Sequence, residues 1–143
     1  MTAFVDTSVI IYAVGRIHPY KIPCASILRD IERGALDAHI SVEVIQELIY
    51  RFSSIRRKME GIRIARVISE LMNPGTLDTD DCQRAVGLFE RCEVDPRDAF
   101  HAAWMLNRDI RIIISADKHF DRIPGIVRID PKEYVSQHPA LDV

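Results

Sequence analysis

Three apolar residues, Ala3-Phe4-Val5, run straight into Asp6, and Thr7-Ser8 follow with side chains suited to capping a helix. A chain that ends a short strand on an acid and turns at once into a helix, here through Val14, is building the edge of a layered α/β domain. The same order returns late in the sequence, where Ile112-Ile113-Ile114 leads into Ser115-Ala116-Asp117. Between these points the apolar spacing is mostly helical. His18 to Pro23 reads as a loop, and Ala25 to Arg33 as a helix stopped by Gly34. A second strand follows at Ala38 to Ser41. Val44, Ile45, Leu48, Ile49 and Phe52 then form one helical stripe, and Ile55 to Met72 repeats it at greater length, the two helices meeting near Ser53-Ser54. Asn73-Pro74-Gly75 is a break, Asp78 to Arg91 another helix, and Pro96 opens one more to about Asn107. Short strands alternating with helices predict a central, mostly parallel sheet flanked by helices. With 143 residues, 48% of them hydrophobic, the chain is expected to form a single domain over 1–143, the last dozen residues lying at its periphery.

A formal net charge of -2 supplies no global attraction to phosphate, so any nucleic-acid contact must come from a local patch. Cys24, Cys82 and Cys92 are odd in number and form no CxxC pair, no signal peptide is read at the start, and no apolar run approaches the roughly 20 residues of a membrane span. These features predict a cytoplasmic protein with no membrane association.

In an open parallel sheet, ligands gather beyond the carboxyl ends of the strands. Asp6 and Asp117 fall there directly. On a helical wheel Glu47 borders the apolar stripe of its helix and Glu43 points away, so Glu47 is expected to overhang the sheet edge and Glu43 to be solvated. Asp95-Pro96 reads as an N-cap and first-turn proline, which puts Asp98 in the first turn at the helix mouth. Each acid also has an ordinary structural reading: Asp6 as a cap, Asp98 as a partner of the helix dipole, Glu47 as a solvated charge, Asp117 as a turn residue. Their convergence is the stronger signal, because acids gathered at one edge repel one another unless a cation intervenes.

The ordered motifs resemble the PIN domains, in particular the VapC-type toxins of toxin-antitoxin systems. The likeness rests on Phe4-Val5-Asp6-Thr7-Ser8, on Ser41 and Val44-Ile45-Gln46-Glu47-Leu48, on Arg97-Asp98-Ala99-Phe100-His101-Ala102-Ala103, and on Ile114-Ser115-Ala116-Asp117-Lys118-His119-Phe120. The resemblance implies a three-layer α/β/α PIN-like fold, with the family's acids on Asp6, Glu47, Asp98 and Asp117 and its assisting hydroxyl on Ser115. Asp95 and Asp121 are rivals for the third and fourth positions. It further implies an endoribonuclease acting on single-stranded RNA with an antitoxin protein as partner. The apolar stripe from Ile55 to Met72 exceeds what a small core needs and suits a homodimer or a grip on an antitoxin peptide, with ordinary core packing as the alternative.

Such a set of oxygen ligands suits hard Mg²⁺ or Mn²⁺, and no HExxH or Cys/His spacing suggests zinc; most of the five histidines are expected on the surface or in loops. RNA attraction is assigned to Arg56, Arg57 and Lys58, within a cluster that includes Arg51, Arg63 and Arg66, with Lys118 and Arg122 as further candidates. Three other readings stand beside this one: a magnesium-binding phosphoacceptor domain, a PIN-like module that binds RNA or protein without turnover, and an RNA-processing nuclease that is not a toxin.

Overall fold

The computed structural model describes residues 1–139. Its elements run β1 (Thr2–Val5), α1 (Thr7–Val14), α2 (Lys21–Glu32), β2 (Asp37–His39), α3 (Val42–Ser54), α4 (Lys58–Met72), α5 (Thr79–Arg91), α6 (Pro96–Asn107), β3 (Ile112–Ile114), a 3₁₀ turn (Lys118–Arg122), β4 (Val127–Ile129) and α7 (Pro131–Gln137). The strands form one sheet in the order β2-β1-β3-β4, and every pair is parallel. Ala3, Phe4, Val5, Ile113 and Ile114 are fully buried, which is why the two central strands read as continuous apolar runs rather than alternating ones.

The chain leaves β1 toward β2 on one side and returns across it to β3 on the other. Right-handed crossovers therefore send α1 and α2 to one face of the sheet and the α3–α6 connection to the opposite face. Phe4 points at the latter, its ring 5.3 Å from that of His101 and 5.7 Å from that of Trp104 on α6. The reversal of strand order between β1 and β3 opens a crevice at their carboxyl ends, the usual ligand position of such a sheet.

Several boundaries differ from the sequence expectation. α2 begins at Lys21, so Pro23 lies in its first turn, where a missing N–H costs no helical hydrogen bond. β2 stops at His39, because Ser41 bridges to Gly75 and serves as the N-cap residue of α3. α4 starts at Lys58 rather than Ile55, since Arg56 adopts φ 61° and breaks the helical path. Tyr134, in the segment expected to be peripheral, is buried on α7 and donates a 3.0 Å hydrogen bond to Asp30 of α2. The edge strand β4 was not anticipated.

The α5–α6 pair is tied by a buried acid. Asp81, 1% exposed, accepts from Arg108 at 2.8 and 3.0 Å, from Asn107 at 2.9 Å and, in a capping box, from the Asp78 backbone N–H at 3.0 Å. Burial alone would raise its pKa, but these donors outweigh it and hold the carboxyl at about 2. Asp81→Ala strands the Arg108 guanidinium and is expected to lower stability by about 3 kcal/mol, read as a loss of Tm. The acids at the α6 N-terminus lie roughly 15 Å away along the helix, so folded protein should keep its activity.

Candidate active site

Asp6 occupies the N-cap backbone position of α1 without capping it. Its Oδ2 instead accepts hydrogen bonds from Ser8 Oγ and Ser115 Oγ, each at 2.7 Å, and its backbone N–H donates to Ile114 O at 3.1 Å. Ser115 is fully buried and also accepts from the Asp117 backbone N–H at 2.9 Å, so one hydroxyl fixes the acids that follow both central strands. Arg128 of β4 supports this corner by donating to Ser115 O at 2.9 Å. Asp117 starts the 3₁₀ turn, accepts from the His119 backbone N–H at 2.9 Å, and lies 3.2 Å from His119 Nδ1.

Glu47 is 5% exposed on α3. Its Oε2 accepts from Thr7 Oγ1 at 2.7 Å and pairs with His101 Nε2 at 3.0 Å, while Arg51 lies 3.4 Å from Oε1. Burial alone would raise its pKa, but His101, Thr7 and Arg51 outweigh that penalty and bring it to about 2. Glu43, expected to be solvated, is half-buried one turn earlier, and burial raises its pKa.

Asp98 differs from the other acids. It is 8% exposed in the first turn of α6, and its carboxylate receives no hydrogen bond among the described residues. Burial first, then the charges of Asp6 and Asp117, push its pKa up to about 8. Oxygen and nitrogen atoms of Asp6, Glu47 and His101 lie within 4.8 Å of one another, as do those of Asp98, Asp117 and His119, and the electrostatic coupling of Asp98 to Asp6 joins the two groups. A carboxylate buried beside like charges and without a donor is what a cation would complete, and the all-oxygen acid set fits Mg²⁺ or Mn²⁺.

The rivals are otherwise engaged. Asp95 caps α6 by accepting from the Arg97 N–H at 2.9 Å, and Asp121 pairs with Arg128 at 3.0 and 3.2 Å. Sequence reasoning missed His101 and Thr7, the partners of Glu47. His101 is fully buried, and although burial favours its neutral form, its bond to Glu47 and the surrounding acids raise its pKa. The available signal was its place on the helical face between Asp98 and Trp104, which points inward.

Arg56, Arg57 and Lys58 are exposed at the α3–α4 junction, and Arg57 pairs with Glu60 at 2.5 Å. Gly61 permits this junction, since a Cβ there would come 2.6 Å from that of Phe52. Arg16, Arg51 and Arg57 line one groove with Ile11, Phe52 and Ile55, and Arg51 links that groove to Glu47.

A parallel sheet that gathers acids from β1, α3, α6 and the end of β3 at its switch point defines the class: an α/β domain with a carboxylate centre at its strand ends. The PIN domain family model matches residues 3–126. Ribonuclease VapC13 of Mycobacterium tuberculosis is 31% identical over 130 residues, covering 87% of this chain and 97% of that protein. Ribonuclease VapC7 of the same organism is 28% identical over 131 residues, covering 88% and 89%. Among solved structures, DNA-bound VapBC from Salmonella typhimurium matches the fold with a TM-score of 0.71 at 19% identity, over 92% of this chain and 99% of that one. The chain belongs to the PIN domain family, in its VapC ribonuclease branch, which sets the phosphoacceptor reading aside.

Proposed function

We propose that this chain hydrolyses phosphodiester bonds of single-stranded RNA with one or two Mg²⁺ or Mn²⁺ ions held by Asp6, Glu47, Asp98 and Asp117. Endoribonuclease activity and the part of toxin in a VapBC pair come with the family. The observation that carries the metal assignment is Asp98, a buried carboxylate set against Asp6 and Asp117 without a hydrogen-bond donor among the described residues. Divalent ions supply Lewis-acid neutralisation of phosphate charge and an activated water. The protein's own contribution is orientation. Ser8 and Ser115 fix one oxygen of Asp6, Thr7 and His101 fix one oxygen of Glu47, and Ser115 anchors the backbone of Asp117. Incubating purified protein with a mixed single-stranded RNA tests the reading: cleavage should require Mn²⁺ or Mg²⁺ and stop with chelator. Cleavage that survives chelation would reject the metal assignment, and no cleavage by antitoxin-free protein would favour the binding module.

RNA reaches an acidic centre only if cations offset the repulsion, and the groove carrying Arg16, Arg51 and Arg57 supports the junction as that source. Neutralising Arg56, Arg57 and Lys58 together is expected to reduce the slope of log K against log salt by about 2. Binding titrations at several salt concentrations check this, and an unchanged slope would remove these residues from the RNA path.

An antitoxin segment suits the apolar groove between α1, α2 and α4 lined by Val14, Leu28, Ile64, Val67 and Leu71, and VapBC complexes are among the matching folds. Exposed Tyr50, Ile55 and Met59 near the α3–α4 junction favour a second copy of the chain, which sedimentation would reveal. The three cysteines are free thiols, and among the described residues no helix is long and apolar enough to cross a membrane.

A further inference from the structure

Glu47 is the only one of the four acids that lies in the middle of a helix, where a long side chain has three rotatable bonds and no backbone N–H within reach to hold it. Its geometry is set from outside. Thr7 Oγ1 from the start of α1 and His101 Nε2 from α6 both reach Oε2, at 2.7 and 3.0 Å. An ionised carboxylate only accepts, so Nε2 carries a proton and donates it. The His101 ring is fully buried against Phe4, at a centroid distance of 5.3 Å, which leaves it no room to swing. Its Nδ1 is buried without a hydrogen-bond partner among the described residues. An unpaired buried ring nitrogen carries a desolvation cost that an apolar side chain in the same place would avoid. The ring therefore does something besides filling space.

What it does follows from which oxygen is held. Oε2 is occupied by two donors, while Oε1 meets only Arg51 at 3.4 Å, from a guanidinium that is half exposed. We infer that His101 is a positioning residue for the metal centre, clamping Oε2 of Glu47 together with Thr7 so that the carboxylate stays fixed beside Asp6. Without the imidazole, Glu47 is free to turn toward Arg51 and solvent. Partners that orient a metal ligand in this manner typically contribute 10- to 100-fold to metal affinity.

This inference rests on the metal centre proposed above, and its test reads metal binding rather than cleavage. Mn²⁺ is titrated into metal-free protein at fixed pH, by calorimetry or by electron paramagnetic resonance of the unbound ion, for wild type, Asp6→Asn, His101→Leu, His101→Gln and His101→Asn. The expected result is a 10- to 100-fold weaker dissociation constant for His101→Leu, and recovery to within about threefold of wild type for His101→Gln, whose amide nitrogen can stand near the place of Nε2. His101→Asn keeps a polar amide but is too short to reach Glu47, and should bind as weakly as the leucine variant. If His101→Leu fails to fold, the Gln and Asn variants carry the comparison, and equal affinities for these two would overturn the inference. A folded His101→Leu protein that binds Mn²⁺ as tightly as wild type would overturn it as well, leaving the ring a packing element. Absence of Mn²⁺ binding by wild type itself would reject the metal centre and this inference with it, a result distinct from the other two.

Discussion

Asp6→Asn is expected to lower kcat/KM for RNA cleavage by at least about 1,000-fold, the equivalent of roughly 4 kcal/mol of lost charge stabilisation. The fold should survive, because the substitution keeps the shape of a side chain that is 5% exposed and caps no helix. Ser8 and Ser115 both donate to Oδ2, and the asparagine carbonyl can accept from them in the same place. What disappears is the negative charge at the carboxyl end of β1, together with the second oxygen that the serines leave free. An amide nitrogen there would point hydrogens at a cation. The measurement is initial cleavage rate against Mn²⁺ concentration, with thermal unfolding run on the same preparations. A variant that keeps more than a tenth of the wild-type rate after rigorous purification would remove Asp6 from the centre of the site and shift the assignment toward Asp98 and Asp117.

Much of this arrangement was written locally in the chain. The apolar run Ala3-Phe4-Val5 and its twin Ile112-Ile113-Ile114 had to be central strands because nothing in them tolerates water, and an acid after each had to fall at the sheet's carboxyl edge. Asp95-Pro96 marked the mouth of α6 because proline there costs no hydrogen bond and aspartate can accept the orphan N–H of Arg97. The same pair recurs at Asp130-Pro131, where it opens the short helix α7. Its burial depends on Tyr134 finding Asp30, 104 residues earlier, which no local pattern contains. β4 was hidden for a related reason: Val127-Arg128-Ile129 is a three-residue edge strand whose arginine looks outward until Asp121 and Ser115 give it partners. The wheel argument found Glu47 because its position alone decides burial. It could not find Thr7 or His101, since their importance lies in a meeting between three helices.

The other large effect concerns stability, and it has a sign opposite to the usual one. Asp98→Asn is expected to stabilise the metal-free protein near pH 8 while abolishing cleavage. Burial, then the charges of Asp6 and Asp117, raise the Asp98 pKa from 3.8 to about 8, with His101 pulling weakly the other way. The folded protein therefore holds this proton more tightly than the unfolded chain does. Stability from the protonated carboxyl is fully present below about pH 4 and is lost as pH rises through about 8. Asparagine is neutral throughout and removes that slope. At pH 8 the gain is of order 3 kcal/mol, or roughly 10 °C in Tm for a domain of this size. Saturating Mn²⁺ should raise the Tm of wild type by binding only the folded state, and should do little for the variant. Melting curves from pH 5 to 8.5, with chelator and with Mn²⁺, separate these contributions. Identical chelator profiles for both proteins would mean that Asp98 carries no like-charge burden, and the case for a cation at this position would lose its main support. The expected profile instead makes Asp98 a residue that folding alone disfavours, retained at the α6 mouth because the reaction needs a charge there.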